Sequence, residues 1–397
     1  MVRAGTEAAA QVPAWWDLLP EDFYLHPDHT DLDARHPLKV HGTAALDHLT
    51  RTGLATLMTA ALLPASLLPG RLQLERELLS FYGGFAGADQ AGRVFLRPPA
   101  DVPVHERRPG ALSWRPRGIP SRLLYFDSPF VPLHPQMVKA YRAHGRNRRA
   151  WAQHWTHADG PRPTLMFLHG FTADAYWFNS AMFSLPWLYR QGYDILLCIL
   201  PFHGARRARL EPFSGFGYFA YGLASMNEAM LNAIHDLRVW MDYLERHGAP
   251  SIGVSGLSLG GYLSALLASV DDRLAYCIPN SPVVSPVDMA REWLPMRWMV
   301  NRVLRAGGMP IQELRRALAL HSPLSYTPQI DAERLFIIGG AGDRFTPPRF
   351  VRLLHQHWKG SAMHWFPGNH VVHLHQRVYL ELMRQFMDRH ARPPVRA

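Results

Sequence analysis

Five short apolar runs punctuate the middle and end of the chain: Thr164–Leu168, Ile195–Leu200, Ser251–Val254, Tyr276–Ile278 and Leu335–Ile338. Each is bounded by polar or turn residues, the pattern of strands buried on both faces. Two further segments read as strands. Ser121–Phe126 is one, and Arg149–Trp155, which alternates large and small residues, could pair with it. Helical patterns lie between the runs. Leu223, Met226, Met230, Ile234, Leu237, Met241 and Leu244 recur at steps of three or four and give one apolar helix face ending at Gly248. Tyr262–Ser269 is helical in pattern, and Tyr379, Leu382, Met383 and Phe386 mark a last helix. Strands alternating with helices predict an α/β fold: a mostly parallel central sheet covered by helices on both faces.

Residues 1–118 have a different texture, rich in Trp, Pro, His and Leu, with helices expected near Thr43–Leu63 and Leu72–Tyr82. Prolines recur from Pro98 to Pro120, as in a linker or extended arm. The implied organisation is an N-terminal extension (1–118), a first core segment (119–280), an inserted helical cap (281–325) and a closing core segment (326–397). In the cap, Glu292–Leu304 and Ile311–Leu320 read as helices separated by Gly307 and Gly308.

Nineteen uncharged residues (52–70) separate Arg51 from Arg71. A membrane span needs about 20 predominantly apolar residues. Here Thr52, Thr56, Thr59 and Ser66 dilute the stretch and Pro64 and Pro69 break it. It reads as a buried helix followed by a turn, with peripheral membrane contact as the alternative. Residues 1–13 lack the continuous apolar core of an export signal, so the expected location is cytoplasmic.

The net charge of +10 invites a nucleic-acid reading, but only Lys39, Lys139 and Lys359 among the 42 basic residues are lysine, a skew that GC-rich codons produce. No basic run reaches five and no nucleic-acid-binding motif accompanies the charge, so no nucleic-acid partner is expected. Two cysteines exclude a disulfide scaffold. The histidine groups His370/His373/His375 and His26/His29/His36, the latter with Asp31, are read as chance clusters among 22 histidines, and no metal or cofactor is expected.

The sharpest chemical signal is Gly256-Leu257-Ser258-Leu259-Gly260, a G-x-S-x-G pattern between a strand and a helix. A serine on that tight turn needs near-absent side chains two residues to either side, and the helix N-terminus behind it favours developing negative charge. Ser255 does not compete, because position 257 is leucine rather than glycine. A serine hydroxyl needs a base, and the base an orienting carboxylate, in the chain order Ser, Asp, His. Asp343, after the strand Leu335–Ile338, and His370, after the strand Met363–Phe366, supply them. Asp343 is preferred to Asp288, the first carboxylate after the strand Tyr276–Ile278; His370 is preferred to His364, His373 and His375. The oxyanion donors expected are the backbone N–H groups of Leu259 and Phe171.

Around them, His169, Gly170, Trp177 and Arg206 are assigned to substrate binding. Gly170 lets backbone approach the substrate. Trp177, with Tyr176 and Phe178, either lines an acyl pocket or packs on the cap. Arg206 and its neighbour Arg207 are either a clamp for a phosphate or carboxylate or part of a solvated loop.

Taken in order, His169-Gly170-Phe171, Gly256–Gly260, Gly342-Asp343 and Pro367-Gly368-Asn369-His370 resemble the α/β-hydrolase superfamily over about Ser121 to His390. The loop Pro201–Arg207 and the long extension look distantly similar to the abhydrolase-domain-eighteen group. The superfamily's strand order implies that Cys198 and Cys277 stand on non-adjacent strands as separate buried thiols. The reading is a hydrolase of a carboxylic ester or thioester, its substrate a small ester or lipid-like molecule with an apolar acyl group. Acyl transfer by the same triad and a catalytically silent binding protein are the alternatives.

Overall fold

The computed structural model describes residues 13–28, 30–66, 68–108, 110 and 113–391. The first twelve residues, read above for an export signal, and His29 lie outside them. Nine strands form one sheet: β1 His105–Arg107, β2 Ser121–Asp127, β3 Arg149–Trp155, β4 Thr164–Leu168, β5 Asp194–Ile199, β6 Ile252–Leu257, β7 Tyr276–Asn280, β8 Phe336–Gly340 and β9 Ala362–Phe366. Their spatial order is β1-β2-β3-β5-β4-β6-β7-β8-β9. The first three strands run antiparallel to their neighbours, and every pairing from β5 through β9 is parallel. β1, inside the proline-rich arm, extends the sheet by three exposed residues.

Alternation along each strand divides the core into two layers. Met166, Leu168, Leu196, Cys198 and Val254 point to one face. There they meet the helices Leu223–Arg246, Leu259–Val270 and Ile311–Ala319. Leu165, Phe167, Ile195, Leu197 and Leu257 point to the other, against the last helix Gln376–His390. On that helix Tyr379, Leu380, Met383 and Phe386 face inward, whereas Leu382 is 37% exposed. The expected stripe is therefore rotated: Leu380, which the pattern omitted, takes the inner position.

Helix Leu223–Arg246 also departs from its pattern. Its polar side is buried too, with Glu228, Asp236 and Arg238 inside the protein. Glu228 accepts from Tyr82 Oη (2.6 Å) and from the N–H groups of Leu133 and His134 (both 2.8 Å). Asp236 pairs with Arg206 at 2.8 Å and Arg238 with Asp271 at 3.0 Å. Charged groups at such depth are tolerated because each is ion-paired or hydrogen-bonded.

The N-terminal segment packs into the same core. Leu19, Phe23, Leu78, Leu79 and Tyr82 belong to the larger apolar cluster. Its long helix, Pro37–Ser66, exceeds the expected Thr43–Leu63 at both ends. Among the described residues no helix is long and apolar enough to cross a membrane. In the cap, the first expected helix begins late, as Met296–Ala306, because Pro295 interrupts the run at Trp293-Leu294-Pro295, and a short helix that the pattern did not give, Pro286–Glu292, precedes it. Cys198 on β5 and Cys277 on β7 are separated by β4 and β6, and both are buried free thiols.

Candidate active site

Ligand sites in open parallel sheets form beyond the carboxyl ends of the strands. Here β4, β6, β8 and β9 each deliver a loop to that edge. β6 ends in Ser258, whose backbone takes φ 58° and ψ −112° before the helix Leu259–Val270 begins. That conformation is costly for a non-glycine residue and persists only where the surroundings force it. The surroundings are backbone. A Cβ on Gly256 would lie 2.6 Å from the Leu168 carbonyl oxygen, and one on Gly260 would lie 2.1 Å from it. β6 and its helix are thus wedged against the end of β4 with no room for a methyl group. Ser258 remains partly exposed, whereas Ser255 is buried and donates to Ile278 O at 2.6 Å.

The loop after β4 lies directly against the elbow. A Cβ on Gly170 would sit 3.6 Å from Ser258 Cβ. No acceptor among the described residues takes the Phe171 N–H, and the Leu259 N–H opens its helix, where intrahelical partners are lacking. His169 plays a different part from the one expected. Its Nε2 accepts from the Leu200 N–H (3.1 Å) and its Nδ1 donates to Gly170 O (2.8 Å). Burial lowers its pKa, in keeping with a neutral ring that ties the β4 loop to the end of β5.

Asp343 and His370 come together from loops 27 residues apart. His370 Nδ1 lies 2.7 Å from Asp343 Oδ2, and Asp343 Oδ1 accepts from the Thr346 N–H at 2.7 Å. Both side chains are buried. Burial alone would lower the imidazole pKa; Asp343, by charge and hydrogen bond, with help from Asp47, raises it. The Phe345 ring stacks on His370 with centroids 5.1 Å apart and planes inclined by 24°. Trp293 of the cap holds Phe345 from above, its Nε1 donating to Phe345 O at 3.0 Å.

The rival residues are otherwise engaged. Asp288 pairs with Arg315 at 2.7 Å. His364 lies within β9, His373 bonds Tyr379 Oη at 2.6 Å, and His375 bonds Lys39 Nζ at 2.8 Å. Among the described residues no group of three His, Cys, Asp or Glu could hold a metal ion.

One substrate assignment needs correction. Arg206 is buried, and its guanidinium meets Asn147 O (3.1 and 2.8 Å), Ile199 O (3.4 Å), Asn232 (3.2 Å) and Asp236 (2.8 Å). With its donors committed inside the protein, it is a structural arginine rather than an anion clamp. Trp177 is 57% exposed. The aromatic lining that does reach the site is Phe171, grouped with Phe213, Phe219 and Phe345 around buried Ala55, Met58, Trp293 and Met296. Ala55 and Met58 lie on the extension helix, which sequence reasoning left outside the site. Asp47, one of its acids, lies beside the Asp343–His370 pair and was not singled out at all.

A family model described as alpha/beta hydrolase fold matches residues 163–302. Those residues include the β4 loop and the elbow but stop short of Asp343 and His370. Acetyl xylan esterase 1 of Thermoanaerobacterium sp. JW/SL YS485 is similar in fold, with a TM-score of 0.56 at 14% identity over 77% of this chain and 97% of that one. An acetyl xylan esterase of Paenibacillus sp. R4 gives 0.52 at 19% identity, over 78% and 94%. The chain has the alpha/beta hydrolase fold, and the family match covers the first part of its core. In sequence it is 29% identical over 297 residues to the uncharacterized protein Rv2627c of Mycobacterium tuberculosis, covering 74% of this chain and 68% of that protein.

Proposed function

We propose that this protein is a serine hydrolase that cleaves a carboxylic ester or thioester with an apolar acyl group, through an acyl-enzyme. The observation that carries the reading is the hydrogen-bonded Asp343–His370 pair at the same sheet edge as a strained, partly exposed Ser258. Nδ1 of His370 is engaged by Asp343, which leaves Nε2 as the base. Ser258 Oγ attacks the carbonyl carbon as its proton passes to His370, and the N–H groups of Phe171 and Leu259 receive the oxyanion. The imidazolium then protonates the leaving alkoxide or thiolate. Water, deprotonated by the same ring, releases the acid and restores the serine. The aromatic and methionine cluster that joins the β4 loop, the cap and the extension helix supports an apolar acyl group.

Labelling by a fluorophosphonate tests the chemistry, and p-nitrophenyl esters of graded acyl length test the pocket. The expected result is labelling of the native chain, none in Ser258→Ala or His370→Ala, and kcat/KM that rises from acetyl to longer acyl chains. A folded native chain that resists the probe and turns over none of the esters would overturn the proposal.

A further inference from the structure

Asp47 projects from the extension helix Pro37–Ser66 and is 1% exposed. One oxygen, Oδ2, accepts two backbone N–H groups: Arg344, next to the triad acid, at 2.9 Å, and His370 itself at 3.0 Å. The other oxygen, Oδ1, is buried without a hydrogen-bond partner. The same helix face makes further bonds to both loops. Thr43 O accepts from Asn369 Nδ2 at 2.8 Å, and Arg51 Nη1 donates to Arg344 O at 2.6 Å. Gly342 lies so close that a Cβ there would meet Val40 O at 2.7 Å.

A single carboxylate oxygen thus joins the acid loop to the histidine loop from a helix some 300 residues earlier in the chain. We propose that Asp47 is a positioning residue of this active site: it holds the Asp343 and His370 loops in register and its negative charge stabilises the imidazolium form of His370. The proposal rests on the serine-hydrolase reading above. A buried loop staple would explain the two N–H bonds alone. The second part follows from burial, since a carboxylate shielded from water acts strongly on a cation that forms beside it. Burial and the neighbouring Asp343 push the Asp47 carboxyl up to about 6, while His370 and the two N–H bonds oppose the rise.

Other charged or titratable groups face this cluster. Arg344 comes from the acid loop, His48 and Arg51 from the extension helix, Glu292 from the cap through Arg51, and His373 from the histidine loop. Burial lowers the pKa of both His48 and His373. Because the Asp47 and His370 charges act on one another, the acid limb of a rate profile belongs to that pair rather than to either residue alone.

The test is the rate of fluorophosphonate labelling of the full chain between pH 4.5 and 9. The native chain is compared with Asp47→Asn, which keeps an acceptor and loses the charge, with Asp47→Ala, which loses both, and with Ser258→Ala as the blank. Asp47→Ser is the second neutral acceptor should the asparagine variant fail to fold. The native rate rises with pH as His370 loses its proton. Without the Asp47 charge, protonation sets in at lower pH, so the acid limb of Asp47→Asn moves down by about half a unit or more. Its plateau falls by about threefold, and that of Asp47→Ala by about tenfold or more, because the loops lose register. Coincident midpoints in the native and neutral variants, with Ser258 labelled in both, would overturn the electrostatic role and leave a staple only. Absence of labelling in the native chain would instead overturn the serine-hydrolase reading itself, and this proposal with it.

Discussion

The two halves of the candidate site are built in different ways. The nucleophile half is self-contained: β4, β6 and the elbow helix press backbone against backbone, and Gly256 and Gly260 permit the contact. The acid–histidine half is also packed backbone to backbone, but part of that packing comes from the extension helix: a Cβ on Gly342 would meet Gly368 O at 3.0 Å and Val40 O at 2.7 Å. Its loops are joined by a few bonds, such as Gly342 N–H to Gly368 O at 2.8 Å. The rest of its support comes from Thr43, Asp47 and Arg51 on the extension helix and from Trp293 on the cap. Ser258 is thus placed by local sterics, whereas the proposed base is held in part by a helix from the far end of the chain.

The largest expected effect is chemical and spans both halves. Ser258→Ala lowers ester turnover by about 10⁵- to 10⁶-fold with the melting temperature unchanged; residual turnover within a hundredfold of native would remove Ser258 from the role of nucleophile. Asp343→Asn costs about 10⁴-fold in kcat, since the ring loses the partner that fixes its tautomer.

Next come changes that separate the halves. Gly260→Ala places a methyl group against the Leu168 carbonyl and destabilises the fold by more than about 3 kcal/mol, read as a drop in urea midpoint. Arg51→Ala removes the bond to Arg344 O and the buried pair with Glu292, at a cost of about 3 kcal/mol. Amide exchange should then quicken in residues 341–346 and 366–374 and stay unchanged in 256–262. Uniform quickening would dissolve the distinction between the halves.

The smallest effect concerns pH. The Asp47 carboxyl is raised from its ordinary 3.8 to about 6. Between those values the folded chain holds a proton that the unfolded chain has released, so native stability falls as pH rises through that window. His370, also raised, adds a loss of the same sign at higher pH. Asp47→Asn should flatten that first fall. Parallel stability–pH curves for the two chains would show that Asp47 carries no such shift.

Much of the fold was legible because its signals are short-range. β2 and β3 pair as expected, with Ser121 opposite Trp155. The parallel strands appear where the apolar runs stand, each within a few residues. The elbow was legible for the same reason, since its steric demand is met by neighbours two residues away. Asp343 and His370 were singled out through chain order, and the structure brings their side chains within 2.7 Å of each other.

Arg206 was misread because an arginine in a loop looks the same whether it meets water or a buried aspartate; Asp236, 30 residues on, decides which. His169 was misread likewise, its ring being taken by the Leu200 N–H of a neighbouring strand. Asp47 left no mark in the sequence, for one acid on a helix of mixed character has no pattern to distinguish it. By itself the sequence determined the strand–helix alternation, the elbow and the identity of the three residues proposed for the chemistry, all set by local sterics and periodicity. Only the tertiary structure decided which charges are buried in pairs, what covers His370, and that a helix from the N-terminal segment reaches the acid and histidine loops. Those outcomes depend on which distant surfaces exclude water from one another, and no spacing along the chain encodes that.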